Sequence, residues 1–206
     1  MAKLRLSLNL PIILVTHDMT EVQLLADSLC LMYRGNSLQQ GPVAKVIDKP
    51  VSRQIARLVG HQNLFNVTVI SIHSKHTVYQ MGDLAPFEGP PLSSVGAGDK
   101  ASLLFAPSAI QIRRVDGKYS SSDVNLQTSD ETGIIEEAGA GPITLEGVVQ
   151  EMIMLGDELS IRLHLHKVPK SLRFKISKFE AAALGLELGC EVDVSINSNG
   201  IHAMQG

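Results

Sequence analysis

The sequence predicts an α+β chain in two parts: a short α/β segment over residues 1–60, then a mostly β barrel domain over residues 61–206. Three observations carry this reading. The run Ile12-Ile13-Leu14-Val15 is apolar without alternation and stops abruptly at Thr16-His17-Asp18, the pattern of a parallel-sheet strand covered on both faces. At His61 the hydrophobic spacing changes from helical to a period of two. Charge changes at the same point, with seven basic against four acidic residues up to Gly60 and eleven against seventeen beyond it.

Within the first part, Asp18 is placed to cap a helix, with Glu21 completing a capping box and Val22, Leu25 and Ala26 forming the apolar face. His17 then sits at the carboxyl end of a parallel strand, the edge where open α/β sheets bind ligands. A lone histidine at a strand end is ordinarily structural, so the surrounding motif has to decide its role. Ser28 to Arg34 reads as a strand, Gly35-Asn36 as a turn and Ser37 to Gln40 as a returning strand. Pro42 opens a short helix through Ile47, a position where its missing donor costs nothing, and Pro50 ends it. A helix from Ser52 to Leu58, with Ile55, Leu58 and Val59 on one side, closes the segment at Gly60.

In the second part, Leu64 to Ile72, Thr77 to Met81, Lys100 to Phe105 and Ala109 to Arg113 read as strands around a Pro-rich turn at Pro86 to Pro91. The stretch from Asp116 to Gly141 is too long and polar for a tight connection and is expected to be mobile. Leu145 to Met154 and Leu159 to Leu165 are strands joined by Gly156-Asp157. Ile161, Leu163 and Leu165 face a core, while Arg162, His164 and His166 face outward. Two alternate histidines on one face can share a metal, but no third ligand is identifiable and no metal site is assigned. Ser177 to Glu180 is a capping box opening a short helix that Gly185 ends in a left-handed cap. Val192, Val194 and Ile196 make a last strand. This order suits a small closed barrel of the oligonucleotide- and oligosaccharide-binding (OB) type.

Composition narrows the function. The 206 residues have room for one large or two small domains, and aromatics make up 4%. No apolar run is long enough to cross a membrane and no cleavable signal is present, so a cytoplasmic chain is expected. Cys30 and Cys190 form neither a disulfide framework nor a metal spacing and read as reduced thiols. An acidic barrel without stacking aromatics beside basic residues argues against nucleic acid as a partner. Gly96-Ala97-Gly98-Asp99-Lys100-Ala101-Ser102 imitates a phosphate loop, but its glycine spacing is wrong and a strand follows where a helix should begin. It reads as a hairpin turn.

The string VTHDMTEVQLLADSLCLMYRGNSLQQGPVAKVIDKP, residues 15–50, resembles the last segment of the nucleotide-binding domain of ABC importer ATPases. The matching positions are Thr16-His17-Asp18, Glu21-Val22, Leu25-Ala26-Asp27, and Gly35 through Gln39 to Gly41, with Val22 standing where alanine is usual. The resemblance implies the carboxy-terminal remnant of an α/β P-loop nucleotide-binding domain, in which His17 is the catalytic switch histidine that reaches the γ-phosphate of ATP. ATP and Mg belong to the parent family. This sequence lacks the Walker A loop, the signature loop and the Walker B carboxylates, so the resemblance implies a carboxy-terminal portion that is inactive alone, with no cofactor-binding residue of its own.

Residues 61–206 resemble the TOBE domain, the barrel appended to importer ATPases for molybdate, sulfate, iron, polyamines and sugars. The matching residues are Gly147-Val148-Val149, Leu155-Gly156-Asp157-Glu158, Ala183-Leu184-Gly185-Leu186, Leu188-Gly189 and Val192 to His202. The turn Gln40-Gly41-Pro42 and the Leu-Gly-Leu helix end lean towards the molybdate subfamily. The Ser-x-Arg-Asn start and the Lys-Ser pair with which molybdate-binding barrels hold the oxyanion are replaced by Gly141-Pro142-Ile143-Thr144 and Asn197-Ser198. The resemblance implies transmembrane permease subunits as partners and a place at the inner face of the cell membrane. The alternative is a free-standing module that binds a small oxyanion. Because the strand at Ile12 to Thr16 would expose apolar faces without its sheet neighbours, a homodimer or a rearranged packing of residues 1–60 is expected.

Overall fold

The computed structural model describes residues 11–93, 95–115, 118–119 and 142–205. The expected mobile stretch from Asp116 to Gly141 lies outside these residues, Lys118 and Tyr119 excepted. The chain divides into two compact units, Met1–His61 and Gln62–Gly206.

In the first unit α1 (Met19–Leu25) is followed by the antiparallel pair β1 (Ser28–Tyr33) and β2 (Asn36–Pro42), then by α2 (Val43–Asp48) and α3 (Arg53–Leu58). The β1–β2 turn places Arg34 at φ 49° and Gly35 at φ 80°. Two positive φ values in a two-residue hairpin match the right-handed twist of the flanking strands. Ser52 caps α3 by accepting from the Ile55 amide. The helix buries Ile55, Ala56 and Val59, while Leu58 turns towards solvent.

The strand expected at Ile12 to Thr16 is not formed. Residues 11–16 have no regular structure, and Ile13 and Val15 are 91% and 92% exposed. A parallel strand is stable only when hydrogen-bonded neighbours and covering helices bury both faces, and the first unit supplies only the β1–β2 hairpin. The described residues therefore do not show the expected α/β P-loop remnant.

The second unit is mostly β. Its strands are β3 (Leu64–Ile72), β4 (Thr77–Gln80), β5 (Phe87–Gly89), β6 (Lys100–Phe105), β7 (Ile110–Val115), β8 (Lys118–Tyr119), β9 (Ile143–Leu155), β10 (Glu158–Leu165), β11 (Ser171–Ser177), β12 (Glu191–Ile196) and β13 (Ile201–Gln205). The helix α4 (Lys178–Leu184) joins β11 to β12, capped by Ser177 and ended by Gly185 at φ 62°. The strands form two curled sheets, in the orders β11-β10-β9-β12-β7-β8 and β13-β6-β3-β4-β5. The two sheets are curled like half-barrels around one core, consistent with the OB-type barrel expected from the strand order. That core unites Val67, Val69, Leu103 and Phe105 of one sheet with Leu145, Leu163, Leu172 and Ile196 of the other.

The sheets exchange strands by a matched pair of crossings. The chain leaves β6 through a 3-10 turn, Pro107–Ala109, and enters the other sheet as β7; it leaves β12 through Ser198–Gly200 and returns as β13. Phe105 lies opposite Ile201 as Ile196 lies opposite Ile110. The Ala106 amide donates to the Gly200 carbonyl at 2.8 Å, and the Asn197 amide donates to the Ala109 carbonyl at 3.0 Å. The long strands correspond as well: β3 skips Ile70 and β9 skips Gln150 in pairing with their hairpin partners. The second unit is therefore an internal repeat whose halves trade their last strands.

Gly200 is where the two turns meet. A Cβ there would lie 2.0 Å from the Ala109 Cβ, an atom with no rotamer to escape into. Gly200→Ala is expected to destabilise the chain by about 1–3 kcal/mol, and Ala109→Gly in the same chain to recover most of that loss. Urea unfolding of the two single variants and the double variant measures this coupling.

Two buried polar groups fix the ends of the five-stranded sheet. Asn63 uses its side chain as a strand would use its backbone, donating to the Arg173 carbonyl at 2.6 Å and accepting from the Arg173 amide at 2.8 Å. Tyr79 is fully buried and donates its hydroxyl to the Pro90 carbonyl at 2.8 Å. Burial pushes its phenol up to about 12, a hydrogen bond with Thr77 opposing the rise. A raised folded-state value means the folded chain holds this proton more tightly. Its contribution is intact below the unfolded phenol's ordinary value near 10 and is lost as pH rises from there towards 12. Tyr79→Phe is expected to remove that alkaline loss from urea-unfolding midpoints between about pH 9 and pH 12. At neutral pH the same change should cost about 1–2 kcal/mol by orphaning the Pro90 carbonyl.

Candidate functional site

His17 occupies an exposed bend directly before α1. The turn around it is held by its neighbours: Asp18 accepts from the Thr20 amide at 2.7 Å, and the Asp18 amide donates to the Thr16 hydroxyl at 3.1 Å. That hydroxyl donates to the Glu21 carboxylate at 2.6 Å. The expected capping box is therefore only half realised. Thr16 takes the place at the Asp18 amide that Glu21 was expected to fill, because a hydroxyl two residues back reaches it while Glu21 is drawn to the hydroxyl itself. The Thr20 amide and hydroxyl hold the Asp18 carboxyl below its ordinary value, with the nearby His17 adding to the effect. The bend thus presents an imidazole in water beside a pinned carboxylate. Among the described residues no phosphate-cradling loop and no pair of metal-binding carboxylates accompanies it, and no group of three or more His, Cys, Asp or Glu residues is placed to hold a metal.

The positions that carry the oxyanion in molybdate-type barrels fall in the second unit. Pro142 and Thr144 are exposed at the start of β9, with Ile143 buried between them. Asn197 accepts the Asn199 amide at 3.1 Å, so its side chain shapes the crossing turn. A cavity of about 30 Å³ lies beside Thr144, lined by Leu84, Leu145, Glu146, Leu165, Lys167 and Val168. Lys167 and Glu146 face each other across its mouth at 3.9 Å, both more than half exposed. This cation comes with a carboxylate attached, and the seat is suited to water. His164 and His166, expected to share an outward face, are both exposed; His166 is occupied by Glu191 at 2.9 Å.

The TOBE domain family matches residues 141–203. Two curated relatives are import ATP-binding proteins. The spermidine/putrescine import ATP-binding protein PotA of Photobacterium profundum is 25% identical over 153 residues, covering 72% of this chain and 38% of that protein. The molybdenum import ATP-binding protein ModC of Mycobacterium tuberculosis is 36% identical over 101 residues, covering 49% and 26%. Residues 141–203 thus match the TOBE family, and the chain is similar to ABC importer ATP-binding subunits. It spans between about a quarter and two fifths of the length of these relatives. Among solved structures, the cytoplasmic molybdate-binding protein ModG superposes with a TM-score of 0.52 at 16% identity, over 71% of this chain and 98% of that one. At that identity the likeness is one of fold.

Several features of the second unit escaped the sequence reading, among them β5, which forms at Phe87–Gly89 inside the expected Pro-rich turn. The strands β11 and β13 were legible in principle, since Leu172, Phe174 and Ile176 alternate, as do Ile201 and Ala203. Asn63 was not, because its partner Arg173 lies 110 residues away.

Proposed function

We propose that this chain is the regulatory, TOBE-bearing portion of the ATP-binding subunit of an ABC importer for an inorganic anion such as molybdate. On this reading it works in the cytoplasm at the inner face of the membrane, in contact with transmembrane permease subunits and as part of a homodimer. The observation that carries the reading is the presence, in one chain, of a TOBE domain and of Thr16-His17-Asp18 before a capped helix, with import ATP-binding proteins as relatives. On this reading ATP and Mg bind in the remainder of the subunit.

His17 is the residue assigned to the chemistry. In the intact domain it offers one imidazole donor to the charge that gathers on the peripheral phosphate oxygens during hydrolysis. Placed in a complete nucleotide-binding domain, His17→Ala is expected to lower ATP turnover about a hundredfold, equivalent to about 3 kcal/mol, with ATP binding and melting temperature unchanged. A structural histidine predicts the reverse, a lowered melting temperature with turnover per folded molecule retained, and that result would remove the assignment.

The near-complete coverage of ModG supports a second reading, a free-standing oxyanion-binding module. Calorimetric titration of the chain with molybdate, tungstate and sulfate separates the two: micromolar binding favours the module and silence favours the importer subunit.

A further inference from the structure

The long strand β9 leaves one edge open. Its first half, Ile143 to Val148, pairs with β12, and Val149 exchanges hydrogen bonds with Gly189 and Cys190. Beyond the bulge at Gln150, the strand is paired from Glu151 to Leu155 with β10 alone. The β9–β10 connection is the two-residue turn Gly156-Asp157, with Gly156 at φ 64°. In such a hairpin the flanking residues Leu155 and Glu158 form a hydrogen-bonded pair, so by alternation Leu155 and Ile153 point their peptide groups at β10. The peptide groups of Met152 and Met154 point the other way, and among the described residues nothing pairs with them.

This edge is apolar. Ile153, Met154 and Leu155 are 46%, 66% and 48% exposed. Phe179 is also exposed, next to Lys178, whose amide donates to Asp157 in the turn. Proteins that keep a sheet edge bare guard it with charge, proline or a covering segment. The internal repeat supplies the contrast: β3 ends its equivalent open stretch, Ile70 to Ile72, in His73-Ser74-Lys75-His76, whereas the open stretch of β9 from Met152 to Leu155 carries no charge of its own, the charges beyond it lying in the turn and in β10 and β11.

We propose that the Gln150–Leu155 edge is a docking surface for the same edge of a second copy of this chain. Two outward peptide groups, at Met152 and Met154, require a strand as occupant. Antiparallel pairing about a two-fold axis at Ile153 sets Met152 opposite the Met154 position of the copy, satisfying both groups on both chains and joining two six-stranded sheets into one. Charge agrees with this pairing. Glu151 is the only charged residue from Gln150 to Gly156; it lies 3.1 Å from Arg162 of its own sheet and falls opposite a leucine in the copy, so no like charges meet. This surface is independent of His17 and of the transported solute.

The test uses the whole chain. Ile153 faces its own equivalent across the axis, so Ile153→Cys is expected to form a covalent dimer under mild oxidation, read on a non-reducing gel, while the parent with Cys30 and Cys190 forms none. Adding Met154→Lys, which sets two ammonium groups against the paired edge, is expected to abolish that dimer and to weaken association of the otherwise unaltered chain at least tenfold by sedimentation. Circular dichroism checks that both variants are folded. A folded Ile153→Cys chain that stays uncrosslinked, or association unaffected by Met154→Lys, would overturn the proposal.

Discussion

Replacing Phe105 with alanine is expected to cost about 3–5 kcal/mol, a large part of the 5–15 kcal/mol that holds a domain together. Phe105 is fully buried at the end of β6 and stacks on Phe65 at 4.9 Å between ring centroids. It also immediately precedes the first crossing and lies opposite Ile201 of the exchanged strand β13. Its loss therefore opens a cavity where the two sheets trade strands, and neither can collapse into it without moving the other. Chemical denaturation gives the size of the effect. The slope with denaturant should be unchanged if the unit still unfolds in one step, and should fall if β13 detaches first.

Gly147→Val is expected to be at least as damaging, with a loss of about 3 kcal/mol or more. Gly147 lies inside β9, opposite Leu165 of β10 and Val192 of β12. A Cβ on this residue would stand 2.2 Å from the His164 carbonyl oxygen and 3.1 Å from Leu163 Cγ. The first of these is backbone of the adjacent strand, so no change of rotamer relieves the clash and β9 must separate from β10. Gly147→Ala meets the same carbonyl and is expected to be destabilising too, by a smaller margin. Melting temperature and the yield of soluble chain measure both. A Gly147→Val chain with wild-type stability would mean that β9 and β10 do not approach as closely as this packing requires.

Local sequence determined a good deal of this protein. Period-two alternation placed β3 at its observed bounds, because one face of the strand packs on the core and the pattern records that face; β6 was legible as a short apolar run, buried on both faces from Ala101 to Phe105. Ser52, Ser177 and Gly185 were legible as helix ends because a cap is a contact within four residues. The TOBE domain was legible through Gly147, Gly156 and the Leu-Gly-Leu helix end, positions where a turn, a left-handed residue or a close backbone approach limits the choice of residue.

Tertiary structure alone decided the rest. The apolar run at Ile12 to Val15 had a strand's sequence and formed none, since a strand's hydrogen bonds come from neighbours, and among the described residues none pairs with it. Within the expected OB-type architecture, the exchange of strands between two curled sheets was decided by tertiary structure, because pairing partners such as Phe105 and Ile201 are brought together by the fold and leave no local mark in the chain. The half-used capping box at Asp18, the amide bridge of Asn63 to Arg173 and the open edge of β9 likewise depend on which groups compete for a donor or acceptor once the chain is packed. A sequence names the donors and acceptors, but only the assembled structure fixes which of them meet and which are left over.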